Sequence, residues 1–263
     1  MRLAGKIAII TGSGSGMGLA AARLFSREGA SVVVAERNEQ SGTTAAAELV
    51  RDGRRAIFVR TDVRRSADAT TMVKSAVEAF GGIDILYNNA GVEVPENDDG
   101  PADEALWDLM METNPKGTWL CIKAALPYLL ERRGSVLNTA SVSGMVGLAG
   151  HAAYCASKAA VVNLSRALAL AYAERGVRIN VICPGPIMTP TMLQDWESAA
   201  NPEQGRLRTL ATTPINRLAE PEEVAQLALF LVSDANTYIS GAVIPIDGAK
   251  TAGIMPVDRY RWG

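Results

Sequence analysis

Residues 7 to 28 pass from an apolar run, through four alternating glycines, into a helical pattern. Nothing else in the chain restricts its fold as much. Ile7-Ala-Ile-Ile10 lies between Lys6 and Thr11-Gly12, and is short and uniformly apolar, as a strand buried on both faces of a parallel sheet must be. Thr11-Gly-Ser-Gly-Ser-Gly-Met-Gly18 follows, and then Leu19, Ala22, Leu24 and Phe25 recur at helical spacing as far as Gly29. Glycines here permit positive φ and let a ligand approach the backbone closely. Amides around residues 16 to 18 would open a helix with its dipole behind them, so the turn fits a pyrophosphate. Gly12, Ser15, Gly16, Met17 and Gly18 are therefore read as dinucleotide contacts.

The same alternation continues along the chain. Strands are expected at Val32 to Ala35, Ala56 to Arg60, Ile83 to Tyr87, Ser135 to Ala140, Arg178 to Ile182 and Ala242 to Ile246. Helical patterns fall at Glu39 to Arg51, Ser66 to Phe80, Ala102 to Arg133 (as two helices), Ala152 to Glu174 and after Pro221. Pro95 to Pro101 reads as a solvated loop. Pro184 to Pro214 reads as a mobile excursion with one short helix, suited to covering a substrate. Together these predict an α/β fold: a Rossmann-like, doubly wound, seven-stranded parallel sheet with helices on both faces, in a single domain spanning 1–263.

Charge and composition narrow the function. With 26 Lys and Arg against 28 Asp and Glu, the net charge of −2 offers no basic face for nucleic acid or a membrane surface. No leader and no apolar run of spanning length is seen, and the three cysteines, 121, 155 and 183, are scattered. A reducing cytoplasm is the expected location and no metal site is expected. His151 is the only histidine, so a Ser-His-Asp hydrolase cannot be built and a His-rich zinc site is not expected. Acid–base chemistry must come from Tyr, Lys, Asp, Glu or Cys.

Two further features point to chemistry. Glu36 ends the second strand about 20 residues beyond the glycine turn, where a carboxylate can accept the ribose hydroxyls of NAD and repel the extra phosphate of NADP. Arg37 beside it could clamp a phosphate or lie over the adenine, so NADP is the alternative. Tyr154 and Lys158 stand four apart on one helical face. A cation beside a phenol favours the phenolate, so Lys158 is expected to bring the Tyr154 pKa down toward working pH and make it a proton donor or acceptor.

In order along the chain these motifs resemble the short-chain dehydrogenase/reductase family: Thr11 to Gly18, Asn88-Asn-Ala-Gly91, Asn114, Ser141, Tyr154-x-x-x-Lys158 and Pro184-Gly185. The resemblance implies hydride transfer between NAD(H) and a secondary alcohol or ketone, a small-molecule substrate, and a homotetramer. It implies a catalytic tetrad of Asn114, Ser141, Tyr154 and Lys158. Ser141 would hold the substrate oxygen, Lys158 would also bind the nicotinamide ribose, and Asn114 would hold a water linking Lys158 to solvent. It further implies that Asp62 and Val63 line the adenine, that Asn89, Ala90 and Gly91 pass along the cofactor, and that Pro184, Gly185, Ile187 and Thr189 lie at its nicotinamide end. A non-catalytic nucleotide-binding protein of the same fold is the competing reading, opposed by the complete tetrad.

Some positions depart from the family pattern or stand outside it. Pro115 directly follows Asn114 and predicts a kink. Ala249 stands where a second glycine is usual. His151 could face a substrate but is read as structural, at the start of its helix, and Glu93 could contact a hydroxylated substrate but is read as a solvated carboxylate.

Overall fold

The computed structural model describes residues 1–94, 103–198 and 201–254. The expected loop at Pro95 to Pro101 and the chain from 255 onward lie outside these. Seven parallel strands form one sheet: β1 (Ile7–Thr11), β2 (Ser31–Glu36), β3 (Ala56–Arg60), β4 (Ile85–Asn88), β5 (Ser135–Thr139), β6 (Arg178–Pro184) and β7 (Val243–Ile246). Their order is β3-β2-β1-β4-β5-β6-β7, so the chain reverses its direction of travel across the sheet between β1 and β4. Crevices for ligands open at the carboxyl ends of strands at such a reversal.

The helices are α1 (Gly16–Arg27), α2 (Glu39–Arg51), α3 (Ser66–Phe80), α4 (Glu104–Met111), α5 (Gly117–Arg132), α6 (Ala152–Tyr172), α7 (Pro190–Ser198), α8 (Pro202–Ala211) and α9 (Pro221–Val232). None among the described residues is long and apolar enough to cross a membrane. Side chains of a strand alternate between faces, and here both faces are apolar. Ala8, Ile10, Val32 and Val34 join Ala21, Phe25, Leu49 and Leu229 in one core, beneath α1, α2 and α9. Ile9, Val33 and Leu86 join Met72, Ile122 and Leu129 in the other, beneath α3 and α5. This two-sided burial is why the strands read as continuous apolar runs.

Three details differ from expectation. The segment 184–214 carries two helices, α7 and α8, where one was expected. Their starts are set locally: the Asn201 side chain accepts from the Gln204 amide at 3.0 Å ahead of Pro202, and Thr189 Oγ1 accepts from the Met192 amide at 3.3 Å beside Pro190. α8 buries no residue fully, so it carries little periodicity to read. Around Pro115, where a kink was expected, the chain makes a π-helical turn over Glu112–Lys116, which joins α4 to α5 while absorbing the missing proline donor. β4 begins at Ile85, because Ile83 and Asp84 form its approach: the Asp84 carboxylate accepts the Ile7 amide at 2.9 Å and ties that approach to β1.

Candidate active site

The glycine turn leaves β1 with Gly12 at φ 64° and Gly16 at φ 52°, both in the left-handed region. A Cβ on Gly12 would stand 2.9 Å from the Ala90 Cα, and one on Gly18 would strike the Gly12 carbonyl oxygen. The turn is stitched to the segment after β4. Asn89 Nδ2 donates to the Thr11 and Gly12 carbonyls at 3.2 and 3.1 Å, and Thr11 Oγ1 accepts from the Asn89 and Ala90 amides at 3.1 Å each. Two sequence motifs 78 residues apart thus form one rigid floor. Asn89 Oδ1 is buried in it with no partner among the described residues. A cradle closed to Cβ atoms and a helix N-terminus fit a dinucleotide pyrophosphate, while the orphaned acceptor needs a donor, such as a ribose hydroxyl or an amide of the same ligand.

Glu36 leans from the end of β2 over this turn. Its carboxylate accepts the Gly14 amide at 3.2 Å and the Asn38 amide at 2.9 Å. Arg37 is exposed at the rim. Asp62 is bound by Arg64, with Nη2 to Oδ2 at 2.6 Å, and this pairing holds its carboxyl below its ordinary pKa. Arg64 also lines the cleft. Sequence reasoning missed it, because an arginine in a turn gives no sign of its partner.

Tyr154 and Lys158 project from the first turns of α6, and Ser141 from the end of β5. All three are buried. Ser141 donates to the Tyr154 hydroxyl, and its own oxygen accepts the Ser143 amide at 3.1 Å, which fixes its direction. Lys158 Nζ lies 5.7 Å from the Tyr154 ring centroid and donates to the Thr139 carbonyl at 3.1 Å. The expectation that Lys158 lowers the phenol's pKa fails here. Burial, and then the negative charge of Glu93, raise Tyr154 above its ordinary value, against the opposing Ser141 hydrogen bond. Burial also lowers Lys158, to about 8. Proximity on a helix face was visible in sequence, whereas the loss of water around both groups was not.

Glu93 is likewise more than a solvated carboxylate. It accepts a hydrogen bond from the Tyr154 hydroxyl, and its Oε1 stands 3.4 Å from His151 Nε2. His151 occupies the N-cap position of α6 without making a side-chain cap, and its Nδ1 stands 3.1 Å from the Ala149 carbonyl. Asn114, from the π turn, accepts the Val92 amide and donates to the Val92 carbonyl and Ser157 Oγ, each at 2.9 Å. Its described contacts make it a clamp on the backbone that carries Glu93.

These groups line one cleft of about 470 Å³ running from Glu36 past the glycine turn to Tyr154. It collects Gly12, Ser15, Gly16, Met17, Glu36, Arg37, Asp62, Val63, Asn89, Ala90, Gly91, Ser141, Tyr154, Lys158, Pro184, Gly185, Ile187 and Thr189. Of the expected site residues only Gly18 and Asn114 are set behind its wall. Val92, Leu109, Thr113 and Met192 line it too, and no sequence signal marked them.

A doubly wound sheet with a glycine cradle at its reversal point, leading to a buried Ser-Tyr-Lys group, defines an oxidoreductase of the dinucleotide-binding class. The family model described as enoyl-(acyl carrier protein) reductase matches residues 12–250. The chain is 41% identical to 2,5-dichloro-2,5-cyclohexadiene-1,4-diol dehydrogenase of Sphingobium indicum, covering 96% of this chain and 99% of that one. It is 43% identical to meso-2,3-butanediol dehydrogenase of Serratia marcescens, covering 96% and 97%. The crystal structure of levodione reductase superposes with a TM-score of 0.92 at 32% identity, covering 96% of this chain and all of that one. The chain belongs to the short-chain dehydrogenase/reductase family, whose members here are oxidoreductases acting on alcohol groups.

Proposed function

We propose that this chain oxidises a secondary alcohol, or reduces the matching ketone, with NAD(H) bound along the cleft and Tyr154 as general acid and base. The observation that carries the reading is the Ser141–Tyr154 hydrogen bond at the end of a cleft that begins at the glycine cradle. When bound, NAD supplies the hydride acceptor. Gly12, Ser15, Gly16, Met17 and Gly18 hold its pyrophosphate, Glu36 its adenine ribose, and Asp62 and Val63 flank its adenine. Asn89, Ala90 and Gly91 run beside it, and Pro184, Gly185, Ile187 and Thr189 wall its nicotinamide end.

Ser141 holds the substrate oxygen against the Tyr154 hydroxyl. A phenol held above its ordinary pKa is protonated at neutral pH, so it is ready to donate to a carbonyl oxygen. In the oxidative direction it must first lose that proton, so alcohol oxidation rises with pH. The Lys158 ammonium, beside the Tyr154 ring and the Thr139 carbonyl, supplies positive charge next to the developing phenolate. Asn114 carries the proposed water toward Lys158 as well as clamping Val92. Segment 184–214, with α7 and α8, covers the substrate.

Preference for NAD over NADP rests on Glu36, whose carboxylate overhangs the turn and opposes a phosphate there, while Arg64 is committed to Asp62. The relatives named for diols support an alcohol substrate. The described cysteines 121, 155 and 183 are free, in keeping with a cytoplasmic location. Trp119 on α5 and Leu170 on α6 are exposed, in keeping with a homotetramer through these helices.

The test is formation of reduced cofactor from secondary alcohols. Tyr154→Phe should lower kcat by at least about 100-fold, the range expected when a general acid–base group is removed. Glu36→Ala should shift preference toward NADP. Full activity in Tyr154→Phe would refute the role of the phenol. Unchanged cofactor preference in Glu36→Ala would refute that of the carboxylate.

A further inference from the structure

Glu93 stands where a carboxylate works against the reaction unless something else engages it. It accepts the Tyr154 hydrogen bond, and so competes with a substrate oxygen for the proton that Tyr154 must pass. Its placement is fixed. Asn114 holds Val92 through both backbone groups, and His151 stands 3.4 Å from the Glu93 carboxylate on its other side. Glu93 also lines the cleft, with its side chain 44% exposed, so a ligand can reach it.

We infer that Glu93 is a specificity-determining residue that accepts a hydrogen bond from a second substrate hydroxyl, on the carbon next to the reacting one. The substrate class is thus a vicinal diol, or its hydroxyketone in the reverse direction. The inference rests on Tyr154 and Ser141 binding the reacting oxygen, as proposed above. Tyr154 and Glu93 are within hydrogen-bonding reach of each other, so two neighbouring ligand oxygens can engage them together without the carboxylate or the phenol moving apart. A diol with hydroxyls on adjacent carbons supplies such a pair. Its second hydroxyl, donating to Glu93, takes the carboxylate off the phenol and leaves Tyr154 to the oxygen held by Ser141. A single alcohol leaves the competition in place. An ammonium in place of the second hydroxyl would instead approach a carboxylate that already faces His151, with the buried Lys158 ammonium on the same wall.

Four probes separate these cases: cyclohexanol, the cyclohexanediol with adjacent hydroxyls, its monomethyl ether, and the adjacent amino alcohol. The parent protein should favour the diol over cyclohexanol by tenfold or more in kcat/KM, the scale of a hydrogen bond to a charged group. The ether, which has lost the donor, should behave like cyclohexanol. In Glu93→Ala the diol-to-monoalcohol ratio should fall to within about twofold of unity, and in Glu93→Gln it should lie between. An unchanged ratio in Glu93→Ala, an ether used as well as the diol, or an amino alcohol preferred to it overturns the inference.

Failure of the reaction itself reads differently: cyclohexanol turnover would then survive in Tyr154→Phe while the ratio in the Glu93 variants still collapsed. A readout without turnover comes from His151, the only histidine in the chain. Its imidazole NMR signals should move on titration with the diol, stay with cyclohexanol, and not respond in Glu93→Ala. Equal shifts with both alcohols count against the inference even when neither is turned over.

Discussion

Replacing Asn114 by alanine removes three hydrogen bonds at once, each 2.9 Å long, from a side chain that is 1% exposed. Alanine leaves the Val92 amide and carbonyl without their partner and deprives Ser157 Oγ of a donor, although Ser157 still donates to the Tyr154 carbonyl at 2.8 Å. A neutral hydrogen bond contributes about 1 kcal/mol net, and a buried group left unpaired costs about 1–3 kcal/mol. Val92 is only half-buried, so water will restore part of the loss. The expected destabilisation is about 3 kcal/mol. At about 2–4 °C per kcal/mol for a chain of this size, the Tm should fall by roughly 6–12 °C. Circular dichroism melts at one protein concentration and scan rate will measure it, since any oligomer makes Tm concentration-dependent. Ser157→Ala removes one of the three bonds, together with Ser157's own bond to the Tyr154 carbonyl, and should lose about 1–2 kcal/mol. If Asn114→Ala loses no more than Ser157→Ala, Asn114 does not act as a clamp.

Three other outcomes follow from the geometry. Lys158 falls from its ordinary 10.5 to about 8 on folding, so between those values the unfolded chain holds a proton that the native state lacks, and stability should rise with pH. Below pH 8 both states are charged and the burial penalty is complete. Lys158→Met should therefore abolish turnover yet raise stability at pH 7 by about 1 kcal/mol, after the loss of the Thr139 contact, and flatten the rise from pH 8 to 9 in urea midpoints. Ala249 sits at φ 69°, so Ala249→Gly should stabilise by up to about 1 kcal/mol, read in the same assay; a loss would show that the strain is absent. Gly18→Ala drives a methyl onto the Gly12 carbonyl, so NAD should bind at least tenfold more weakly by calorimetry, and unchanged affinity would refute the cradle.

Much of the molecule was legible because its signals are local. Buried parallel strands must be apolar on both faces, amphipathic helices must repeat at helical spacing, and a backbone that cradles phosphate needs glycine. These rules operate within a few residues, so Ile7 to Gly18, the alternation of strands and helices, and the Tyr154–Lys158 spacing all survived in the fold. Where local signals were weak, reading failed: α8 buries nothing fully and was not foreseen as a second helix, and Pro115 announced an irregular turn without announcing its π form.

What tertiary structure decided lies in encounters across long stretches of chain and in the exclusion of water. Asn88 and Asn138 meet in a buried side-chain bond at 2.9 Å, with Asn138 passing to Ser165 at 2.8 Å, and no pattern in the sequence announces that ladder. Glu93 reaches Tyr154 across 61 positions of sequence (154 − 93) because β4 and α6 converge at the cleft. The direction of the phenol's pKa was equally hidden. A neighbouring charge can be inferred from spacing, but the desolvation that outweighs it depends on every element packed around the site. The amino-acid order by itself determined which groups are available and which short segments they sit on. Only packing decided which of them meet, and in how little water.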